Sequence, residues 1–389
     1  MRTLETPHIH NMKTKLTSTL EKAYYLEPLT PGETGFLLQL EDEPSIRSLF
    51  QTASSLREKF FGNKIFFYGF LYTGTYCRNN CNFCFYRRSN PTPHRYRKDL
   101  NEIVSASLEL ARSGIHLIDL TMGEDPLFYT EEEENEKPTF ESITKLIAAV
   151  KEATQLPVMI SPGVVSPRVL DSLINAGADW YACYQETHNP ELFKRLRLNQ
   201  DYSARLQTKI NAQQKGLLIE EGILVGVGEN TGDVLESIHV MKELKADQVR
   251  AMNFVPQEGT PMQHTTLPHP LEELKITAVM RLIFPDRLIP ASLDVEGLKG
   301  LKLRLDAGAN VVTSIVPPNQ GLAGVAQWAL DIDSSRRTIA GIIPVLRQCN
   351  LKAAELPGYV EWMTNRKKII MNEIQHRETT IKPIKEVLQ

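Results

Sequence analysis

The sequence predicts an α/β protein built on a closed (β/α)8 barrel of the TIM type, with an N-terminal helical extension and a C-terminal helical tail. Three observations predict it. Eight short apolar runs, rich in β-branched and aromatic residues, alternate with longer amphipathic stretches. Glycines able to end a helix stand just ahead of several runs, at Gly114, Gly177, Gly216 and Gly308. The ends of nearly every run are polar, as expected where barrel strands deliver an active site. A doubly wound open sheet is the second reading, because its strands also read as near-continuous apolar runs.

Residues 1–64 precede the first run. They carry two helical stretches, Leu16–Tyr25 and Pro44–Gly62, expected to pack as an N-terminal cap; His8 and His10 lie ahead of both. The strand runs are 65–72, 116–123, 157–163, 179–186, 222–229, 248–256, 288–297 and 310–318. Helical stretches fall between them at Leu100–Arg112, Phe140–Ala153, Pro167–Asn175, Tyr202–Lys215, Asp233–Lys245 and Pro270–Phe284. The first shows why, with Ile103, Leu108 and Ala111 on one face. The barrel is assigned to 65–348. Residues 349–389 are polar and basic and read as a helical or partly disordered surface tail.

Composition narrows the function classes. The 389 residues are 42% hydrophobic and 23% charged, ordinary for a globular chain. A net charge of -3 offers no basic face for sequence-independent nucleic-acid binding. No apolar stretch approaches the ~18 residues a membrane span needs, and the start has no apolar secretory core. Five cysteines in so long a chain are no disulfide scaffold. A reducing, cytoplasmic setting is expected.

Three of those cysteines, Cys77, Cys81 and Cys84, form a C-x3-C-x2-C loop directly after the first strand. Soft thiolates on one short loop can share one metal centre. A structural zinc site normally has four protein ligands, and an electron-transfer iron–sulfur centre has four cysteines. Three cysteines suit a 4Fe–4S cluster with one open iron. The competing readings are packed reduced thiols, or a zinc site completed by a histidine such as His94, although no second cysteine pair exists. Cys183 and Cys349 are remote in sequence and are given no role.

The polar strand ends hold a second signal. Ser292 and Asp294 share a parity, as do Asp119 and Thr121, while Arg250 opposes Val249 and Ala251. Asp119, Arg250, Ser292 and Asp294 are therefore expected to face the lumen. Unpaired charge inside a dry barrel is expensive. Two carboxylates with one guanidinium match a guest bearing one carboxylate and two ammonium groups, which describes a basic amino acid. A structural ion pair, Arg250 with Asp294, is the plainer alternative. Ser161, Glu186 and Glu229 are further polar strand ends. The glycine-rich GVGENTG at 226–232 lacks the dinucleotide-binding spacing, and the acidic run Glu131–Glu134 reads as a solvated loop.

The cysteine loop, the MGEDP turn at 122–126, YQET…KLR at 184–197 and SARLQT at 203–208 resemble the biotin synthase and hydrogenase-maturase group of radical S-adenosylmethionine (SAM) enzymes. Within that group, the VPQEGTP and SLDVEG segments are similar to the methylornithine synthases of pyrrolysine biosynthesis. The similarity runs from about residue 50 to 325. It implies that Cys77, Cys81 and Cys84 hold the cluster and that SAM chelates the open iron. It implies SAM contacts for Phe83, Ser161, Glu186 and Arg205, and a substrate pocket of Asp119, Arg250, Ser292 and Asp294. The implied reaction is a radical isomerisation of L-lysine to (3R)-3-methyl-D-ornithine. In it a 5′-deoxyadenosyl radical abstracts hydrogen, and the substrate fragments and recombines. A low-potential donor such as flavodoxin or ferredoxin is implied as partner, with neither nucleic acid nor membrane. The alternative within the branch is a related enzyme acting on another small amino acid.

Overall fold

Eight parallel strands follow one another round a barrel, in a computed structural model that describes residues 7–128, 140–317 and 337–379. The acidic run at 131–134 and the last residues of the tail lie outside those described. Three helices come first, α1 (Pro7–Tyr24), α2 (Pro31–Leu38) and α3 (Glu43–Phe61). The repeat then reads β1 (Lys64–Gly74), α4 (Leu100–Ser113), β2 (Leu117–Met122), α5 (Glu141–Thr154), β3 (Val158–Ser161), α6 (Pro167–Asn175) and β4 (Trp180–Ala182). Two helices follow β4, α7 (Pro190–Leu196) and α8 (Tyr202–Gln214). The second half is β5 (Leu218–Val225), α9 (Thr231–Glu243), β6 (Gln248–Asn253), α10 (Pro270–Ile283), β7 (Pro290–Ser292), α11 (Leu298–Asp306) and β8 (Val311–Ile315). The described chain ends with α12 (Ile339–Gln348), β9 (Lys352–Ala353) and α13 (Leu356–Thr379).

The ladder runs β6-β5-β4-β3-β2-β1-β8-β7. Its seam, between β6 and β7, is joined by one bridge, Gln248 with Leu288, where Val249 N donates to the Leu288 carbonyl at 3.0 Å. The barrel is nearly closed, with the bridge at the lower end. Strand alternation sorts the side chains. Ile118, Leu120, Ile160 and Ile219 point outward into the helix-facing core. Leu117, Trp180, Leu218 and Val311 point inward as an apolar floor. Asp119, Glu220 and Thr313 stand two residues further along three of those strands, and so one layer above.

Two expectations are corrected. The N-terminal helices do not cap the barrel. Ile46, Leu49 and Ala53 of α3 pack with Leu274 and Val279 of α10 on its side. The helix α1 also begins at Pro7, so the backbone of His8 and His10 is helical. Nor is the C-terminal segment a surface tail. Its strand β9 pairs with β1, and α13 underlies the floor. The Tyr359 hydroxyl meets that of Tyr68 at 2.8 Å, and the Trp362 ring stacks on Trp180 at 6.0 Å. Arg366 pairs with the buried Asp247 at 2.9 Å, and Lys367 with Asp179 at 2.8 Å. Two of the basic residues that suggested a solvated tail, Arg366 and Lys367, are held by carboxylates just ahead of β6 and β4.

Two strands are displaced from expectation, and the run expected at 288–297 narrows to Pro290–Ser292. The run expected at 222–229 begins earlier, at Leu218, because the adjacent carboxylates of Glu220 and Glu221 are each neutralised on opposite faces, by Arg250 and by Lys209. The run expected at 179–186 ends at Ala182, leaving Cys183 and Glu186 in the loop beyond. Among the described residues no helix is long and apolar enough to cross a membrane.

Candidate active site

The cysteine loop leaves β1 at the carboxyl end of the barrel, and the MGEDP turn after β2 supports it. Arg78 N donates to the Glu124 carbonyl at 2.7 Å, and the Arg78 side chain meets the Glu124 carboxylate at 3.0 Å. A side chain at Gly123 would run into the Tyr76 carbonyl, with its Cβ 2.9 Å from Cys77 Cβ. Glycine is required there by close approach. Asp125 holds Arg97 through both carboxylate oxygens, at 2.5 and 2.9 Å, and the Arg97 guanidinium lies 3.9 Å from the Tyr76 ring centre.

Donors surround the sulfurs. Gln200 Nε2 donates to Cys81 Sγ at 3.0 Å, Arg197 Nη1 lies 3.6 Å from the same sulfur, and Asn79 N donates to Cys77 Sγ at 3.5 Å. Burial pushes the Cys77 thiol up to about 11 and that of Cys84 further. Thiolates there need a metal to hold their charge. Among the described residues, no three His, Cys, Asp or Glu side chains are gathered for a single metal ion, and His94 stacks its ring on Tyr96. Three cysteines on one loop, with cationic and amide donors on the sulfurs, fit an iron–sulfur cluster better than one zinc ion.

Beside the loop lies a second polar group. Glu186 has φ 69°, in the left-handed region. Its N donates to the Gly222 carbonyl at 3.1 Å and its carbonyl accepts from Leu224 N at 3.0 Å. The Glu221 carboxylate holds the preceding amide, Gln185 N, at 2.8 Å, and pairs with Lys209 on α8. This buried network fixes the turn that aims Glu186. Burial raises the Glu186 carboxyl, opposed by Arg197 and Arg205. Arg197 Nη2 donates to Glu186 at 2.6 Å, and Arg205 Nε to the Tyr184 carbonyl at 2.7 Å. Arg205 also pairs with Glu124 at 3.4 Å, and that carboxyl stays below its usual range despite its burial. The Phe83 ring sits 5.4 Å from the Arg197 guanidinium, and Ser161 donates to the Ala182 carbonyl at 3.1 Å. Glu229, by contrast, turns back on its own loop, accepting from Gly226 N and Val227 N.

Deeper in the lumen is a charged chamber. Arg250 pairs with Glu220 at 2.8 Å, its Nη2 lies 3.5 Å from Thr313 Oγ1, and it sits over the Tyr184 ring. Asp119 accepts from Thr121 Oγ1 at 3.0 Å. Burial, then the neighbouring Glu220, pushes the Asp119 carboxyl up to about 7 against the pull of Arg250. Asp294 lies in the turn after β7 and not in the strand. Its Oδ2 still accepts from Ser292 at 3.2 Å and Ser314 at 2.6 Å, and its Oδ1 from Arg337 at 2.9 Å. The plain ion pair of Arg250 with Asp294 is not formed; each has another partner.

Comparison with known proteins decides the family. Residues 71–241 match the radical SAM superfamily model. The chain is 41% identical to 3-methylornithine synthase of Methanosarcina barkeri over 84% of its own length and 91% of the relative's. Identity to the enzyme of the same name from Methanosarcina acetivorans is 42%, over the same shares. A crystal structure of methylornithine synthase superposes with a TM-score of 0.83 at 39% identity, covering 88% of this chain and 99% of the other.

The chain belongs to the methylornithine synthase family of radical SAM enzymes.

As a family member it is an isomerase whose family uses a 4Fe–4S cluster and SAM. The predicted residues fall into two groups at one end of the barrel. Cys77, Cys81, Cys84, Phe83, Glu186 and Arg205 adjoin one another through Arg197 and Glu124, with Ser161 at the neighbouring strand end. Asp119, Arg250, Ser292 and Asp294 line the chamber beneath. Sequence reasoning missed Arg197, Gln200, Glu220 and Arg337. An EE pair inside an apolar run was the available signal for Glu220; nothing local marked Arg337.

Proposed function

We propose that this protein converts L-lysine to (3R)-3-methyl-D-ornithine, with Cys77, Cys81 and Cys84 holding the cluster. The observation that carries the reading is the joint placement of the three-cysteine loop and a lumen chamber with three carboxylates against two guanidinium groups. One net negative charge remains, the complement of a basic amino acid. Cluster and SAM together supply a 5′-deoxyadenosyl radical. The chain's own residues do the rest. Arg250 and Ser292 bind the substrate carboxylate. Asp119 and Asp294 bind its two amines. Glu186, Arg205, Ser161 and Phe83 position SAM between chamber and cluster. The apolar floor and α13 exclude water, so fragments stay together until they rejoin. In this reading residues 1–64 and 349–389 are extensions of one barrel domain at 65–348. The enzyme works in the cytoplasm with a low-potential donor such as flavodoxin or ferredoxin.

The test is anaerobic reconstitution with iron and sulfide, followed by incubation with lysine, SAM and a low-potential reductant. Methylornithine and lysine are isomers, so the product is resolved by chromatography before tandem mass spectrometry. Methylornithine is the expected product. SAM cleavage with lysine recovered unchanged would overturn the reading.

A further inference from the structure

We propose that Glu220 is a substrate-selecting residue that makes the chamber specific for an amino acid with a cationic side chain. The inference rests on the lysine reading above. Glu220 is fully buried on β5, in the lumen layer with Asp119. Its two carboxylate oxygens do different things. Oε1 faces two nitrogens of Arg250, with Nε at 2.9 Å and Nη2 at 2.8 Å. That grip turns one edge of the guanidinium away from any guest and fixes which edge remains for a carboxylate. Oε2 is buried with no well-formed hydrogen bond, and the donor beside the carboxylate, the Tyr184 hydroxyl, is neutral. A buried anionic oxygen met by no second cation is costly, and a guest ammonium supplies one.

The surrounding charges support the assignment. Asp294 is engaged by Arg337, Ser292 and Ser314, while Thr121 meets only one oxygen of Asp119. The open acceptors of the chamber therefore lie at the Asp119–Glu220 side. With Glu220 counted, Arg250 is already neutralised by the protein, and the net negative charge needs a cationic guest. Without it, the described chamber charges cancel, and a neutral amino acid would fit as well.

Reconstituted holoenzyme carrying Glu220→Gln tests this by binding. The probes are lysine and norleucine, which keeps the lysine chain but lacks the terminal amine. The amide retains an oxygen for Arg250 and removes only the charge. Lysine affinity is expected to fall about tenfold or more, from loss of a charge-assisted contact, while norleucine binds as well or better. Glu220→Asp, which keeps the charge, should preserve the preference for lysine even if both ligands weaken. A lysine-to-norleucine ratio unchanged in Glu220→Gln, at any level of stability or turnover, would overturn the proposal. So would loss of the ratio in Glu220→Asp. Wild-type enzyme that fails to bind lysine would defeat the functional reading instead.

Discussion

Arg197 ties Glu186 to Cys81: one guanidinium nitrogen donates to the carboxylate at 2.6 Å, and the other lies 3.6 Å from the sulfur. A single cation thereby links the expected SAM anchor to a cluster ligand. Arg197→Ala would strip the buried Glu186 of its direct ion pair and leave it only the field of Arg205, at a cost of ~3–5 kcal/mol visible in thermal unfolding. It would also remove a positive donor from the sulfur. The cluster should then become harder to reduce, with a more negative midpoint in an EPR-monitored titration. An unchanged midpoint would separate Arg197 from the cluster.

The loop itself makes a simpler prediction. Cys81→Ala should carry little iron or acid-labile sulfide after reconstitution and should not cleave SAM. Gly123→Ala should impair the same loop by displacing Tyr76 and Cys77, although it alters no ligand. Iron content of both variants checks this. A fully loaded Gly123→Ala protein would show that the turn yields more easily than its contacts suggest.

Asp119 and Asp294 should respond differently to loss of charge. Asp294→Asn should weaken lysine binding by ~1.5–3 kcal/mol, and should also lower stability because Arg337 loses its anion. Asp119→Asn should weaken lysine binding similarly but leave the lysine-free protein equally or more stable, since that carboxyl is buried beside Glu220. Calorimetric titration and unfolding on the same pair of variants distinguish the two.

The raised Asp119 carboxyl also predicts a pH dependence. Its folded value, about 7, lies above its ordinary 3.8. Between those limits the folded chain holds the extra proton, so stability of the lysine-free enzyme falls as pH rises through the window. A lysine ammonium favours the ionised form. Lysine affinity should therefore climb with pH by about one log unit per pH unit below 7, then level off. A flat affinity from pH 5 to 7 would remove Asp119 from the binding equilibrium.

At the opposite end, Tyr359→Ala should cost ~3–5 kcal/mol, the usual penalty for emptying a buried aromatic site. It should also let water reach the lumen. Buried amides of β4 and β5 would then exchange faster with solvent deuterium, while the cysteine loop would be unaffected.

The barrel was legible because alternation and helical periodicity are local. Ile118 and Leu120 against Asp119 and Thr121 declare a two-sided strand without any tertiary knowledge. The cysteine loop was legible because its three ligands lie close together in sequence. What escaped were partnerships between distant segments. Glu220 and Glu221 look like a solvated strand start until Arg250 and Lys209 are placed beside them. Arg337 reaches Asp294 across 43 positions, and no periodicity connects them. The basic face of α13 looked solvent-exposed because its carboxylates, Asp179 and Asp247, stand far away in the sequence, just ahead of β4 and β6. Charge in a sequence marks where a partner is needed and leaves its identity to the fold.

The floor beneath Trp180 has a consequence for synthesis. The cluster loop and all eight barrel strands lie ahead of α13 in the chain, so the Tyr359 and Trp362 rings that complete the floor arrive after the last barrel strand. During translation, the cysteines can therefore be displayed while the lumen is still open at its lower end. A barrel in that state would expose its charged chamber to water, and only docking of the late helix converts it from a vessel open at the base to a sealed one.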